Sequence, residues 1–183
     1  MSEFCKPIEQ SFSCRSYQII DEYAGDKDAT LLINCLLGLL VIPFEKNRSR
    51  FKKDKYTSEL MTFFERMQAA GKYTPHEGNE NPYLIIRCLR NAIAHCKFSA
   101  YPSEGSIEGF CFVSTRMLKY CEEVRCECQF KNVPMENGPE VFRMTLSISD
   151  IKELARIIKQ IICDGMDPTQ CAGCDYRPPK RTH

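Results

Sequence analysis

Residues 31–44 read LLINCLLGLLVIPF, and this stretch is almost wholly apolar. A membrane-spanning helix needs roughly 20 consecutive apolar residues. The stretch is shorter, it contains Asn34 and Gly38, and we expect it to stop at Pro43. A helix that is apolar on every side is typical of the buried centre of a helical bundle. The stretch therefore predicts a central core helix, and we expect no membrane contact.

Apolar residues at helical spacing predict further helices on both sides of this core helix. On the N-terminal side they are Phe12, Tyr17, Ile19, Ile20 and Tyr23. On the C-terminal side they are Leu60, Phe63, Phe64 and Met67. Gly71 is expected to end the third helix, because glycine is common just past a helix end. Asp26 or Asp28 is expected to cap the core helix.

The fourth helix has the clearest start signal in the sequence. Asn81 is a favoured N-cap, and Pro82 is favoured at the first helical position and pushes Asn81 into an extended conformation. A stripe at steps of three and four predicts the core face, and it comprises Ile85, Cys88, Leu89, Ala92, Ile93 and Cys96. Arg87, Asn91 and His95 lie on the opposite face, each one turn after the last.

The hydrophobic period changes to that of strands after the fourth helix. Residues 107–113 predict a strand, and residues 124–130 and 142–148 alternate strictly between apolar and polar side chains. Asn137-Gly138 is a turn signal between the last two runs. These runs predict an antiparallel hairpin inserted before the last helix.

The closing helix is expected to begin at Ser149 as its N-cap and to end at Gly165. We expect one domain over residues 1–165, with helices in 8–97, a β-containing insertion at 105–148 and the closing helix at 149–163, followed by a basic tail at 166–183. Of the 183 residues, 43% are hydrophobic and 27% charged, which excludes disordered and fibrous chains. The formal net charge is +1, so any surface that binds nucleic acid must be local.

Twelve cysteines would fit a secreted protein held together by disulfides. Residues 1–7, MSEFCKP, lack a basic stretch followed by an apolar one, so we expect no signal peptide. A chain of this length also builds a core without disulfides. We therefore expect reduced, mostly buried cysteines in a cytoplasmic protein.

His95 is the best candidate for proton transfer, because it is the one histidine on a predicted helix; His76 lies in a predicted loop and His183 ends the sequence. An imidazole titrates near neutral pH and can accept or donate a proton. Arg90 stays charged and can bind two phosphate oxygens at once. Asn91, one turn before His95, can orient the imidazole or a substrate. Arg90 lies roughly 140° around the helix from His95 and flanks that face.

The segment Arg90-Asn91-Ala92-Ile93-Ala94-His95 resembles the motif of HEPN domains (higher eukaryotes and prokaryotes nucleotide-binding), which has an arginine, a polar residue and, a few residues later, a histidine. Residues 31–43 also resemble the long apolar helix of some prokaryotic members. The resemblance covers about residues 10–97 and, more loosely, the closing helix. It implies a mainly α, HEPN-like helical bundle, to which the small antiparallel β hairpin is added before the last helix.

The resemblance also implies a function, that of a metal-independent endoribonuclease, often a toxin or defence protein, with paired motifs at a homodimer interface. Arg90, Asn91 and His95 would then inherit the catalytic roles, with RNA as substrate and no cofactor. An antitoxin or other regulatory protein would be a further partner.

The chemistry of RNA supports this interpretation independently. RNA carries its own nucleophile, the 2′-OH, beside the scissile phosphate. Cleavage needs a base for that hydroxyl, an acid for the leaving 5′ oxygen and positive charge near the phosphorane oxygens. Two-fold symmetry would bring a second His95 and a second Arg90 to the same site. DNA should survive, and RNA products should end in 2′,3′-cyclic phosphates.

Basic residues outside the motif are candidates for contacts with RNA phosphates. Residues 45–55 read EKNRSRFKKDK, with six basic and two acidic side chains, and clustered Lys and Arg displace counterions from nucleic acid. The RNA-binding candidates are Arg87, Arg48, Arg50, Lys52, Lys53 and Lys55, with Arg177, Lys180 and Arg181 of the tail as a further set. Each of them could instead be an ordinary solvated charge.

Other functions remain open at this stage. A non-catalytic module that dimerises and binds a nucleotide, RNA or a protein would carry the same motif. Cys171 and Cys174 have the spacing of zinc ligands or of a redox pair. Cys126 and Cys128 could add two more thiolates to a zinc site. These two cysteines, however, fall on the same strand face as core residues. A cysteine–histidine nucleophile using Cys88 or Cys96 fits less well, because both cysteines lie on the apolar stripe.

Overall fold

The computed structural model describes residues 8–23, 29–47, 49–52, 54–74, 81–103, 106–114 and 142–164. Within these ranges the helices are α1 (Ile8–Glu22), α2 (Ala29–Lys46), α3 (Asp54–Ala69), α4 (Pro82–Ala94) and α5 (Ile148–Cys163), with a short 3₁₀ helix at Arg50–Lys52. The strands are β1 (Tyr73–Thr74), β2 (Phe98–Ser103), β3 (Ser106–Ser114) and β4 (Phe142–Ser147). The predicted fold class, mainly α with a small antiparallel β element before the last helix, is confirmed.

Helix α2 is the centre of the bundle, as its sequence predicts. Leu32, Leu36, Leu39 and Leu40 are fully buried, and α2 contacts α1, α4 and α5. The helix continues past Pro43 to Lys46, which differs from the expected stop. Phe44 in this last turn is fully buried and stacks on Tyr83 of α4, with ring centroids 5.1 Å apart, and this burial favours the extra turn. No helix in the described part of the chain has the length and apolar character needed to cross a membrane.

Helices α1 and α2 approach each other closely at Gly38. A Cβ atom at this position would lie 2.7 Å from the ring of Phe12, so the absence of a side chain allows the contact. Ile20 is fully buried, whereas Ile19 is 39% exposed and so lies outside the core that the spacing predicted for it. The expected caps of α2, Asp26 and Asp28, lie outside the described residues.

The sheet is antiparallel with strand order β1-β4-β3-β2, so β4 lies between β1 and β3. The strand predicted at 107–113 is β3, and that predicted at 142–148 is β4, which ends at Ser147. The hairpin in the described residues joins β2 to β3, with Phe98 opposite Phe112. Residues 124–130, which we expected to pair with β4, lie outside the described residues.

Two strands of the sheet, β1 and β2, were not predicted from the sequence. Strand β1 has only two residues and pairs with Arg143 and Met144 of β4, too few for a periodic pattern. Strand β2 reads FSAYPS, which lacks alternation, and its register shifts between Tyr101 and Pro102.

Helix α5 begins two residues earlier than expected, because Ser147 rather than Ser149 is its N-cap. Ser147 Oγ accepts from Asp150 N at 3.2 Å, and Asp150 Oδ2 accepts from Ser147 N at 2.9 Å. This reciprocal capping box satisfies two N–H groups that helical bonds leave open. Lys72 Nζ lies 2.7 Å from Asp150 Oδ2, so the end of α3 is tied to the start of α5. The expected end at Gly165 lies outside the described residues.

Candidate functional site

Helix α4 carries the motif residues and starts as the sequence predicts. Asn81 is extended, with φ −89° and ψ 113°, and its Oδ1 accepts from Tyr83 N at 3.0 Å. The core face is buried, with Ile86 and Leu89 fully inaccessible to solvent. This burial fixes the rotation of α4 and therefore the direction of its polar face.

The motif residues lie on that polar face at different depths. Arg87, Arg90 and Asn91 are partly buried, and His95 is exposed. The Nε atom of Arg90 is itself buried, so the base of this guanidinium lies below the surface. The structure thus places the predicted residues on the two last turns of one helix, with the exposed imidazole at its end.

A Schellman motif ends α4 immediately after His95. His95 N donates to Asn91 O at 3.0 Å, Cys96 N to Ile93 O at 3.0 Å, and Lys97 N to Ala92 O at 2.8 Å. The last two bonds, from the first and second residues past the cap, define the motif. The turn requires left-handed backbone at Cys96, where φ is 53°. His95 is therefore the C-cap residue rather than one more residue of a continuing helix.

The placement of Cys96 corrects the sequence prediction that it belongs to the buried stripe. Cys96 is exposed, because the left-handed turn directs the chain away from the helix before this residue can face the core. Glycine is the usual residue at such a position, so the sequence contained no signal for the turn.

The sheet fixes the turn that carries His95. Val113 N of β3 donates to Lys97 O at 2.9 Å, and β2 starts at the next residue, Phe98. The turn is thus bonded to α4 on one side and to β3 on the other. The sheet therefore supports the turn that follows the motif.

The basic segment after α2 contains one cation with a structural role. Arg50 Nη1 donates to the carbonyl oxygens of Ile161, Ile162 and Asp164 at 3.2, 2.8 and 2.9 Å. Carbonyls in the last turn of a helix have no partner within the helix. A cation there is also attracted to the partial negative charge at the C-terminal end of the helix. Arg50 therefore holds the end of α5, and its contact with RNA stays a prediction.

Lys52 lies at the far end of α4 from the motif. Its Nζ is 4.9 Å from the ring centroid of Tyr83, in the first turn of α4. The helix rise of about 1.5 Å per residue separates Tyr83 from His95 by about 18 Å. Lys52 stays a prediction as an RNA contact, and the side chains of Arg48, Lys53 and Lys55 lie outside the described residues.

The structure bears on the hypotheses of a cysteine nucleophile and of a metal site. Cys88 is buried, and burial raises the pKa of its thiol to about 12, which disfavours the thiolate that a nucleophile needs. Among the described residues no group of three or more His, Cys, Asp or Glu side chains could hold a metal ion. Cys126, Cys128, Cys171 and Cys174 lie outside those residues, as do Arg177, Lys180 and Arg181.

Comparison with known proteins identifies the family. No curated protein and no solved structure matches the chain significantly. The family model described as HEPN pEK499 p136 matches residues 1–169, a range that includes the core helix α2, the motif at the end of α4 and the closing helix. The chain therefore belongs to the HEPN pEK499 p136 family.

Proposed function

We propose that the protein is a metal-independent endoribonuclease whose active site combines the α4 ends of two copies. The observation that carries this proposal is the exposed imidazole of His95 at the C-cap of α4, in a turn bonded to both helix and sheet. A solvent-accessible imidazole on a hydrogen-bonded backbone turn, with an arginine on the preceding turns of the same helix, is suited to proton transfer at a phosphate.

His95 acts as the general base or the general acid in this proposal. As base it removes the proton of the 2′-OH, whose oxygen then attacks the adjacent phosphorus. The C-terminal end of a helix carries partial negative charge, which favours cations. His95 lies at this end of α4, as its C-cap residue.

Arg90 and Asn91 support that proton transfer. Arg90 stabilises the negative charge that develops on the phosphorane oxygens, because a guanidinium binds two oxygens at once. Asn91 holds His95 through its carbonyl oxygen, which accepts from His95 N, and its amide is one turn away, where it can orient the imidazole or the phosphate.

A second copy supplies what one chain lacks. In-line cleavage needs an acid and a base on opposite sides of the phosphorus, and one motif provides one histidine. A two-fold axis near His95 would contribute the second imidazole and the second Arg90. Product chains would end in 2′,3′-cyclic phosphate, and DNA would remain intact.

The test is incubation of the purified protein with end-labelled structured RNA in excess EDTA. Removal of a positioned acid–base group typically lowers rates about 10²–10⁴-fold, so His95→Ala should lose cleavage with an unchanged melting temperature. Arg90→Ala should lose it too, whereas Arg15→Ala, a change of an exposed arginine on α1, should cleave normally. Undiminished cleavage by His95→Ala would refute the assignment. Tight RNA binding without products would instead support the non-catalytic module.

The proposal extends to a toxin or defence role in the cytoplasm, held in check by an antitoxin or other regulatory protein. Induced expression should then arrest growth of a bacterial host, and His95→Ala should restore it. Equal arrest by both proteins would contradict this extension while leaving the cleavage assay to decide the chemistry.

A further inference from the structure

We propose that Cys14 and Cys163 form an oxidisable dithiol, whose disulfide links the first described helix to the last. Their Sγ atoms lie 3.7 Å apart although the residues are 149 positions apart in the sequence. Neither belongs to a disulfide in this structure. The pair lies on α1 and α5, so the proposal does not rest on the ribonuclease activity assigned to α4.

The backbones on both sides of this pair are held in place. Cys163 is the last residue of α5, and Arg50 binds the carbonyls of Ile162 before it and Asp164 after it. Cys14 lies within α1 between Arg15 and the fully buried Ser13. A disulfide bond is about 2.05 Å long, so the sulfurs must approach by about 1.7 Å, a distance that rotation of the two side chains and a small shift can supply.

The two thiols differ in access, which sets the order of reaction. Cys14 is 6% exposed, whereas Cys163 is only partly buried. With a small disulfide such as oxidised glutathione as the oxidant, the Cys163 thiolate attacks one of its sulfurs and releases one glutathione thiolate. The Cys14 thiolate then attacks the Cys163 sulfur and releases the second. The two protein thiols lose two electrons and two protons in total, and the oxidant becomes two thiols.

The disulfide would stabilise the fold through the unfolded state. Stabilisation by a cross-link grows with the length of the closed loop, and here the loop includes nearly all of the described chain. We expect the melting temperature to rise by about 5–10 °C on oxidation and to return on reduction.

The experiment treats the purified full-length protein with oxidised glutathione, alkylates the remaining thiols and digests it with Glu-C and Asp-N. These proteases release Cys14 in residues 10–20 and Cys163 in residues 154–163, each as the one cysteine of its peptide. The expected product is the two peptides joined by a disulfide, in protein that runs as a single chain on a non-reducing denaturing gel. Recovery of both peptides in alkylated form, or Cys163 joined mainly to a different cysteine, would overturn the proposal.

Two serine variants test the order of reaction. Cys14→Ser should leave glutathione attached to Cys163, because the second thiolate is missing. Cys163→Ser should leave Cys14 unmodified, since its thiol is buried. Neither variant should gain melting temperature on oxidation. A gain in either of them would show that another pair is responsible, and the wild-type peptide map remains decisive even if a variant fails to fold.

Discussion

Helices α3 and α4 end in the same hydrogen-bonded turn, but different residues make the turn. In both, the residue after the cap and its successor donate backbone hydrogen bonds of 2.8–3.0 Å to the last turn of the helix. At the end of α3 the left-handed residue is Gly71, with φ 67°, and at the end of α4 it is Cys96, with φ 53°. The same geometry is unstrained in one case and strained in the other, and the strained turn carries His95.

The sheet anchors both turns in the same way. Thr145 N of β4 donates to Lys72 O at 2.7 Å, and Val113 N of β3 donates to Lys97 O at 2.9 Å. These contacts over-determine the turns, which is the condition under which a strained residue persists. Left-handed backbone at a residue with a side chain costs about 1–2 kcal/mol, and such strain is often found beside functional residues.

The largest expected effect concerns the α3 turn, because an ion pair between Lys72 and Asp150 ties this turn to α5. Asp150→Asn should lower the free energy of unfolding by about 2–3 kcal/mol, since it removes a mostly buried carboxylate bonded to Lys72 and Ser147. Denaturant titration measures the loss. Amide exchange should accelerate at Gly71 and Lys72 and change little in the α4 turn.

Glu153→Gln is the matched control for this change. Glu153 also lies on α5 and pairs with Arg66 of α3, but both side chains are about one-third or more exposed. Exposed pairs contribute about 0–1 kcal/mol, so this variant should stay near the wild type. Equal losses in the two variants, or equal acceleration of exchange at both turns, would contradict the proposed difference.

Acid should affect the same α3–α5 contact. Burial raises the pKa of the Asp150 carboxyl, but hydrogen bonds from Lys72 and Ser147 lower it by more. The net effect is a pKa below the ordinary value of 3.8. A carboxyl with a lowered folded pKa contributes stability above its unfolded pKa, and this contribution is lost as the pH falls through the folded value. Unfolding measured from neutral pH downward should therefore show a steeper decline below about pH 4 in the wild type than in Asp150→Asn.

A smaller loss is expected when the unstrained turn is made to resemble the strained one. Gly71→Ala should reduce stability by about 1 kcal/mol, because left-handed strain exceeds the entropy that alanine removes from the unfolded chain. A Cβ atom at Gly71 would have no neighbour within 4 Å, so the effect isolates the backbone. Gly71→Asn should lose less, since asparagine tolerates this conformation. A neutral Gly71→Ala would show that the φ value carries no strain.

The contrast between the turns also explains what the sequence could and could not predict. Glycine just past a helix end and asparagine followed by proline at a helix start are strong local signals. The end of α3 near Gly71 and the start of α4 at Asn81-Pro82 were therefore predicted correctly. The turn at Cys96 was missed, because its conformation is imposed by bonds to Ile93, Ala92 and β3 rather than by the residue itself.

Tertiary pairing accounts for the other differences in the fold. Ser147 and Ser149 are both good caps, and the choice of Ser147 depends on Asp150 lying three residues later, where Lys72 can also reach it. Strand β1 exists because β4 is available to pair with it. For the candidate site, the motif gave the residues, but the exposure of His95 and the structural use of Arg50 depend on contacts distant in the sequence.

The smallest expected effect has the opposite sign and tests why the α4 turn keeps a cysteine. Cys96→Gly should relieve strain and raise the free energy of unfolding by about 0.5–1 kcal/mol, which is a rise of about 1–4 °C in melting temperature. The thiol of Cys96 is exposed, so we expect its removal to offset little of this gain. If the strain helps to hold His95 for catalysis, RNA cleavage should fall while stability rises. A stability loss would mean that the Cys96 side chain contributes more than its conformation costs, and the contrast with Gly71 would then lie in side-chain contacts rather than in backbone strain.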